Sequence, residues 1–379
     1  MNAAEKIKAA FSFDGTPEIP AVICYENIFV RDHWSELTGK PWWHRESPDI
    51  DRQLAWTGDV ITATGLDMFR LPLFYSHEDR KYITIEPRSD GVYRVDRRTG
   101  SAELLTEPRI SGWTASGHTE SPHPVHPAAT PGEIDSIIPL SDTFDPNDII
   151  VKGKHDLAGA IIKAFGGNVS PYYRVASPLW LCYNLWGFET MMVMIATKPE
   201  LVDYASSRFL ELSLRSVHEA AALGARAVFI EECLTDMISP ADFKSLNLPF
   251  LHRLVDEIRL MGMKSMYYFC GNPSGKWELL MDAGADALSL EEGKKGFEID
   301  IGDIVERVGG RCTVLGNLDS IGVLQNGTDE ELRTEIRRQI EAGRKNGSRF
   351  IMSTGSPVTP STPASRVRLY CDLVREMGR

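Results

Sequence analysis

The C-terminal half of the sequence repeats one unit five times, an apolar strand-like run followed by a helical pattern. The five runs are ARAVFI (225–230), MKSMYYF (263–269), ADALSL (285–290), RCTVLG (311–316) and RFIMST (349–354). In the segment 240–260, Phe250, Leu254 and Ile258 recur at helical spacing on one face. Successive strand–helix units lay their strands parallel in one sheet, so the sequence predicts an α/β fold. Either a doubly wound open sheet or a (β/α)8 barrel fits this pattern.

Polar or reactive side chains follow each of the five predicted strands. They are Glu231 and Glu232, Cys270 and Asn272, Glu291 and Glu292, Asn317 and Asp319, and Thr354 and Ser356. A barrel brings all its strand ends to one mouth, whereas an open sheet uses mainly those beside its switch point. We therefore predict a single (β/α)8 TIM barrel over residues 1–379, with the functional site at its mouth.

The N-terminal half is predicted to supply the first barrel strand and an insertion. The run IPAVICYEN (19–27) is predicted to form the first strand, and Glu26 at its end is a candidate substrate-binding residue. Residues 80–110 alternate in polarity and carry the turns SDG and RTG, which predicts a small antiparallel meander. Residues 111–132 are rich in Pro, His and Ser, which predicts an irregular loop. The insertion thus spans about residues 80–135.

Composition excludes several classes of function. The formal net charge is −12 and no Lys/Arg-rich run occurs, which argues against nucleic acid or an anionic membrane as partner. Six scattered cysteines without a CxxC pair are typical of reduced thiols. The N-terminus lacks an apolar signal region, and no run approaches about 18 apolar residues. We expect a cytoplasmic globular protein that acts on a small molecule.

Glu231 and Glu232 are the leading candidates for a catalytic acid. Neighbouring residues on a strand face opposite ways, so only one of the two can point into the barrel mouth. The other can form an ion pair in the helix layer. A buried carboxylate costs several kcal/mol unless it is paired, so a purely structural role would be served more cheaply by an apolar residue.

Cys270 ends an aromatic strand, in the sequence YYFCGN (267–272), and has two readings. It is either a reactive thiol at the barrel mouth or a small hydrophobic residue of the core. The tryptophans pose a similar choice, because Trp42 and Trp43 could either line a pocket for a flat apolar substrate or pack in the core.

The region from about 172 to 378 resembles the uroporphyrinogen decarboxylase superfamily. The motifs occur in the order typical of that superfamily: SPLWLCYNLWGFETMMVMIATKPELV (177–202), MISPADFKSLNLPF (237–250), FCGN (269–272), DAGADALSL (282–290), LGNLDS (315–320), NGTDEEL (326–332) and STGSPVTPSTPASRV (353–367). The resemblance covers a little over half of the chain. It implies a (β/α)8 barrel, in agreement with the pattern of the strand ends.

The sequence differs from true uroporphyrinogen decarboxylases at two places. Those enzymes carry an arginine-rich motif near the N-terminus, whereas ICYENIFVRDHW contains only Arg31. They also have a histidine in a late Gly-His-Gly turn, where this chain has Gly355-Ser356-Pro357. The resemblance is therefore closer to the second branch, the cobalamin-dependent methyltransferases.

Those methyltransferases hold zinc with a His-x-Cys motif and a distant cysteine. Here the first motif aligns with Tyr268-Phe269-Cys270 and the late cysteine with Ser356, so only Cys270 remains. Cys270 and Glu232, together with one further group, could still hold Zn²⁺, but two ligands alone do not make a site.

The leading hypothesis is a methyltransferase component of a corrinoid system that demethylates a small, possibly methoxylated, substrate. The resemblance implies a partner corrinoid protein that carries the cobalamin. Candidate proton donors to the leaving group are Glu232 or Glu231 and Tyr268, with Cys270 as a further reactive group. The candidate substrate-binding residues, besides Glu26, are Asn272, Asn317, Asp319 and Ser356.

Two alternatives remain open. A decarboxylase or lyase acting on a smaller acid would need a cationic pocket, whereas the predicted strand ends are mainly acidic or neutral. A non-catalytic binding protein on the same barrel is the other alternative, and the altered zinc motif favours it.

Overall fold

Seven parallel strands form one sheet in which the spatial order of the strands follows the chain. The computed structural model describes residues 1–108, 128–140, 144–293 and 296–379, with the backbone of 113–114 and 117–118. The strands are Met68–Arg70, Ser170–Ala176, Ala227–Glu232, Lys264–Phe269, Ala287–Leu290, Thr313–Leu315 and Phe350–Ile351. This sheet with helices between its strands confirms the α/β class.

An extended segment near the N-terminus supplies the one remaining strand position and closes the sheet into a barrel. The backbone N–H of Val22 donates to the carbonyl oxygen of Met352 at 2.8 Å, and Met352 N–H donates to that of Pro20 at 2.9 Å. On the other side, Asp67 N–H donates to the carbonyl oxygen of Ala21 at 2.8 Å. The predicted first strand thus lies between the last and second barrel positions, and the (β/α)8 barrel is confirmed.

Helices lie between the strands and around the barrel. They are Ala3–Ala10, Glu26–Asp32, Trp34–Leu37, Ile50–Thr64, His77–Tyr82, Pro131–Ile137, Asn147–Val151, Asp156–Phe165, Pro178–Thr197, Pro199–Leu223, Pro240–Leu246, Leu248–Leu260, Trp277–Asp282, Ile301–Val308, Asp329–Lys345 and Ala364–Met377. The described residues also form a 3₁₀ helix at Trp42–Glu46 and a π-helix at Ser320–Gln325.

The interior of the barrel is filled by alternate residues of the strands. Phe229, Met266 and Tyr268 belong to one buried apolar cluster, whereas Tyr267 and Phe269 pack with the helices in the main core. The N-terminal helix closes one end, with Ile7 and Phe11 in the interior cluster. Alternation of side chains along a strand explains why neighbouring residues such as these join different cores.

The predicted insertion contains a small antiparallel sheet. Its strands are Ile83–Arg88, Gly91–Asp96 and Ser101–Leu105, joined in meander order. The irregular loop was predicted over residues 111–132. Most of it lies outside the described residues, apart from residues 128–132 and the paired backbone pieces Trp113–Thr114 and Gly117–His118. The helix Pro131–Ile137 follows.

One helix in the described part of the chain, Pro178–Thr197, is long and apolar enough to cross a membrane by length and composition alone. Gly187 interrupts it with φ 69°. The fully buried indole of Trp186 donates a hydrogen bond to the carbonyl oxygen of Ala128 at 2.8 Å. This contact ties the helix, at its interruption, to the segment that contains Ala128.

Candidate active site

Two adjoining cavities lie at the ends of the first barrel strands. The larger has a volume of about 600 Å³ and lies between the second strand and the helices Glu26–Asp32, Ile50–Thr64 and Asp156–Phe165. The smaller, of about 30 Å³, lies inside the barrel. Glu26 and Asn27 line both cavities. A substrate in the larger cavity would therefore meet Glu26 on the side facing the barrel interior.

The backbone at the end of the first strand places Glu26 at this junction. Tyr25 adopts the left-handed conformation with φ 55°, which is uncommon for a residue with a side chain. Its ring is held edge-on against Tyr268 and Phe229, at centroid distances of 5.6 and 6.0 Å. The chain turns sharply here and enters the next helix at Glu26. Such backbone strain is common at functional sites.

Glu26 is a buried carboxyl group that is protonated more readily than usual. Its Oε2 accepts hydrogen bonds from the N–H of Arg70 at 3.1 Å and from the hydroxyl of Tyr172 at 3.3 Å. Burial raises the pKa of Glu26 to about 7, although Arg70, Tyr172 and Arg45 lower it in part. A carboxyl group with this pKa can donate or accept a proton near neutral pH.

Glu231 is the member of the Glu231–Glu232 pair that faces the barrel interior. Its Oε2 lies 3.3 Å from Nη1 of Arg174, and the arginine in turn lies 5.9 Å from the ring centre of Tyr25. The prediction that only one of the two glutamates points inward is thus confirmed. Glu231 therefore forms an ion pair with Arg174 inside the barrel mouth.

Glu232 points into the helix layer and is fully buried there. Its Oε2 accepts hydrogen bonds from Nδ2 of Asn247 at 2.9 Å and from the hydroxyl of Tyr267 at 3.4 Å. Burial raises its pKa to about 7. It lines neither cavity, so its position does not support the predicted role as proton donor to a substrate.

Cys270 and Tyr268 lie on the interior side of the strand Lys264–Phe269. The Tyr268 hydroxyl donates to the carbonyl oxygen of Gly355 at 3.1 Å, and burial raises its pKa well above the usual value. Cys270 packs against the interior cluster and contacts the thiol of Cys233, which also lies 3.9 Å from the Tyr25 hydroxyl. The barrel mouth therefore holds two neighbouring thiols, of which the sequence had indicated one.

The predicted metal pair is not brought together. Cys270 faces the barrel interior and Glu232 faces the helix layer, so the two side chains lie on opposite sides of the sheet. No group of three or more His, Cys, Asp and Glu side chains is placed to hold a metal ion within the described ranges. The prediction that Cys270 and Glu232 share a zinc ion is wrong for this geometry, because alternation along the strands separates them.

The side chains of three of the predicted substrate-binding residues form hydrogen bonds with the backbone of the loops around them. Asn272 Oδ1 accepts from Ser274 N–H at 2.9 Å, and Asn317 Nδ2 donates to the carbonyl oxygen of Ile299 at 2.9 Å. Asp319 Oδ1 accepts from the N–H groups of Ile321 and Gly322, both at 2.8 Å, as the cap of the π-helix. These contacts are those of residues that shape loops after the strands.

Ser356 lies in a buried hydrogen-bond network. Its hydroxyl donates to Oε2 of Glu292 at 2.7 Å, and the Ser320 hydroxyl donates to Oε1 of the same carboxylate at 3.4 Å. Glu292 and Ser356 are 5% and 1% exposed, so this network lies behind the mouth surface.

Two arginines of the larger cavity, Arg45 and Arg70, were missed by reasoning from the sequence. Arg70 ends the strand Met68–Arg70, and Arg45 lies in the 3₁₀ helix Trp42–Glu46. The segment around Trp42 and Trp43 thus does border a pocket, but through Arg45 and Glu46, while the tryptophan in the lining is Trp56. A signal for Arg70 was available in DMFRLPLF, where a charged residue interrupts an apolar run.

Comparisons with known proteins agree with the barrel. The chain is 27% identical over 252 residues to a uroporphyrinogen decarboxylase of Desulfotalea psychrophila, covering 63% of this chain and 71% of that protein. It is 24% identical over 186 residues to the corresponding protein of Gloeobacter violaceus, covering 49% of this chain and only about half, 51%, of that protein.

The fold also matches a solved structure along its whole length. A methyltransferase from Methanosarcina mazei superposes with a TM-score of 0.66 and 16% sequence identity, covering 99% of both chains. The model of the family described as uroporphyrinogen decarboxylase (URO-D) matches residues 91–377, most of this chain. The chain therefore belongs to the uroporphyrinogen decarboxylase family.

Proposed function

We propose that this protein is the methyltransferase component of a corrinoid system, which moves a methyl group between a small substrate and the cobalamin of a partner protein. One observation carries the proposal: a carboxyl group with a pKa of about 7, Glu26, lies at the junction of a 600 Å³ cavity and the barrel interior. The full-length likeness to a methyltransferase of Methanosarcina mazei supports it at the level of the fold.

Glu26 is the proton donor in this proposal. As the bond between the methyl carbon and the substrate oxygen breaks, the oxygen gains the bonding electron pair and takes the proton of Glu26. The partner's cobalamin, as cob(I)alamin, would supply the electron pair of the new bond to the methyl carbon. The Glu26 carboxylate that remains keeps its hydrogen bonds from Arg70 N–H and the Tyr172 hydroxyl, which lower the cost of its charge.

Other residues of the chain position the substrate and the acid. Tyr25 fixes the turn that presents Glu26, and its ring is held by Tyr268 and Phe229. Glu231 and Arg174 neutralise each other inside the mouth. Cys270 and Glu232 lie on opposite faces of the sheet, so the two side chains do not form a zinc site together.

The test uses free cob(I)alamin and a panel of methoxylated small molecules, followed by the absorbance change to methylcob(III)alamin. We expect methyl transfer with the native protein and a loss of about 100-fold in Glu26→Gln, the usual scale for removing a general acid. Glu232→Gln is the matched control, since Glu232 is as buried and has the same raised pKa but lines neither of the two cavities. Equal rates in native protein and Glu26→Gln would refute the role of Glu26.

A decarboxylase or lyase acting on a small acid is the second candidate, and one observation favours it. That function requires a cationic pocket, and Arg45, Arg70 and Lys154 line the larger cavity. Release of CO₂ from a carboxylic acid without cobalamin would identify this reaction. Ligand binding without either reaction would support a non-catalytic binding protein.

A further inference from the structure

The larger cavity is lined by cationic side chains that form no ion pair within 4.0 Å in the described part of the chain. Its ionisable lining consists of Glu26, Arg45, Glu46, Arg70, Asp79 and Lys154. Counted by type, acids and bases are equal in number. The acids and the bases differ in whether they form ion pairs, and this difference determines the net charge that a ligand in the cavity would encounter.

Two of the acidic residues of the lining form ion pairs with arginines that lie outside the cavity, and the third is protonated more readily than usual. Glu46 forms an ion pair with Arg94 at 3.5 Å, and Asp79 forms one with Arg98 at 3.0 Å. Neither of these arginines lines the cavity. Glu26 carries a proton through much of the acidic and neutral range, because burial raises its pKa to about 7. The acids therefore contribute little net negative charge to the cavity.

The basic residues have no comparable partners. Within the part of the chain that the structure describes, the side chains of Arg45, Arg70 and Lys154 form no ion pair within 4.0 Å and no hydrogen bond. Nε of Arg70 is buried without a hydrogen-bond partner. Burial lowers the pKa of Arg45, the charges of Glu46 and Glu26 oppose this shift in part, and those of Arg31 and Arg70 add to it. A buried, unpartnered guanidinium is costly, and an anion would remove that cost.

The rest of the wall is apolar and partly aromatic. Trp56, Phe69, Phe74, Leu157 and Tyr173 contribute to it. The Trp56 ring is fixed by a hydrogen bond from its Nε1 to Oε1 of Gln53 at 2.8 Å. A fixed aromatic wall beside two arginines matches a ligand with a flat apolar body and an anionic end. The volume of about 600 Å³ lies in the range of small-molecule sites.

We infer that this cavity binds an aromatic carboxylate, whose carboxylate is held by Arg45 and Arg70 and whose ring packs on Trp56 and Phe74. Guanidinium groups bind carboxylates through two parallel hydrogen bonds, which gives geometric specificity. The inference rests on the proposed function in one respect, that the bound acid is the methyl-bearing substrate. Binding itself requires neither cobalamin nor a partner.

Isothermal titration calorimetry of the full chain tests the inference with four probes: benzoate, 4-methoxybenzoate, the neutral analogue benzamide, and inorganic phosphate. We expect at least one of the two carboxylates to bind, and benzamide and phosphate to bind at least about tenfold more weakly. No binding of either carboxylate at millimolar concentration would overturn the inference. So would equal binding of benzamide, or binding of phosphate alone.

Variants locate the site. Arg45→Met and Arg70→Met should each weaken carboxylate binding about tenfold or more, the scale of one lost charged hydrogen bond. Arg259→Met is the matched control, because Arg259 is exposed on another helix and pairs with Asp256 at 2.8 Å. Arg45 lies in a surface 3₁₀ helix, so its variant keeps the test valid if Arg70→Met fails to fold. Unchanged affinity in Arg45→Met and in a folded Arg70→Met would overturn the assignment.

The two proposals fail in distinguishable ways. Carboxylate binding without methyl transfer to cob(I)alamin would contradict the proposed function and leave the cavity assignment intact. Methyl transfer from neutral methoxylated compounds, with no carboxylate binding, would support the methyltransferase and contradict the anion site.

Discussion

Substitution of Glu232 by glutamine should change how the stability of the fold depends on pH. The carboxyl group is fully buried, and burial raises its pKa from 4.5 to about 7. The folded state therefore binds this proton more tightly than the unfolded chain does. Its stabilising contribution is complete below pH 4.5 and is lost as the pH rises through 7. Over the whole window the loss is about 3 kcal/mol, at ~1.4 kcal/mol per unit of pKa.

Urea unfolding at about pH 5.5 and about pH 8.5 measures this effect. Between these values, one such group lowers the free energy of unfolding by about 2 kcal/mol in the native protein. Glutamine cannot ionise and can still accept the hydrogen bond that Asn247 Nδ2 donates to Oε2. Glu232→Gln should therefore remove about 2 kcal/mol of pH dependence. Glu26→Gln should remove a similar amount, since its pKa is also raised to about 7.

A parallel shift of the two unfolding free energies, with the full pH dependence retained in Glu232→Gln, would refute this reasoning. It would mean that Glu232 is ionised in the folded protein throughout the range. The double variant Glu26→Gln/Glu232→Gln serves as the control. The two carboxyls lie in different layers, so their effects should add.

Two further predictions concern the buried ion pair and the reaction. Lys6→Met should cost about 3–5 kcal/mol of folding free energy in thermal or urea unfolding, because it leaves Asp67 buried and without its partner at 2.6 Å. Adding Asp67→Asn should recover part of the loss; no recovery would show that packing of the lysine stem dominates. The rate of methyl transfer should fall with rising pH above about 7, as Glu26 loses the proton that it donates. A rate that rises through this range would contradict Glu26 as the acid.

The barrel could be predicted from the sequence because most of its strand–helix units have a clear pattern within a short stretch of the chain. Runs such as MKSMYYF and ADALSL are apolar, short and followed by helical periodicity. The strands Met68–Arg70 and Ser170–Ala176 were missed. The first has only three residues, and the second contains a proline and Arg174 within an otherwise apolar run. Pairing with neighbours distant in the chain determines such strands more than their own composition does.

The candidate site could be predicted only in part. Alternation along a strand correctly separated Glu231 from Glu232, because that rule is local. The residues that enclose Glu26, such as Tyr172, lie as far as 146 residues away in the chain, so the burial that raises its pKa has no local signal. The cationic cavity was also missed, because it is lined by Arg45, Arg70 and Lys154 from three separate segments.

Direct titration of the Glu26 carboxyl group tests the central claim, that a proton donor poised near neutral pH lies between the two cavities. Glu232 titrates in the same range, so the measurement uses the Glu232→Gln background. Infrared difference spectra between this protein and the double variant Glu26→Gln/Glu232→Gln isolate the band of one protonated carboxyl group. We expect this band to disappear with a midpoint near pH 7. A midpoint below about pH 5, the range of an ordinary glutamate, would contradict it.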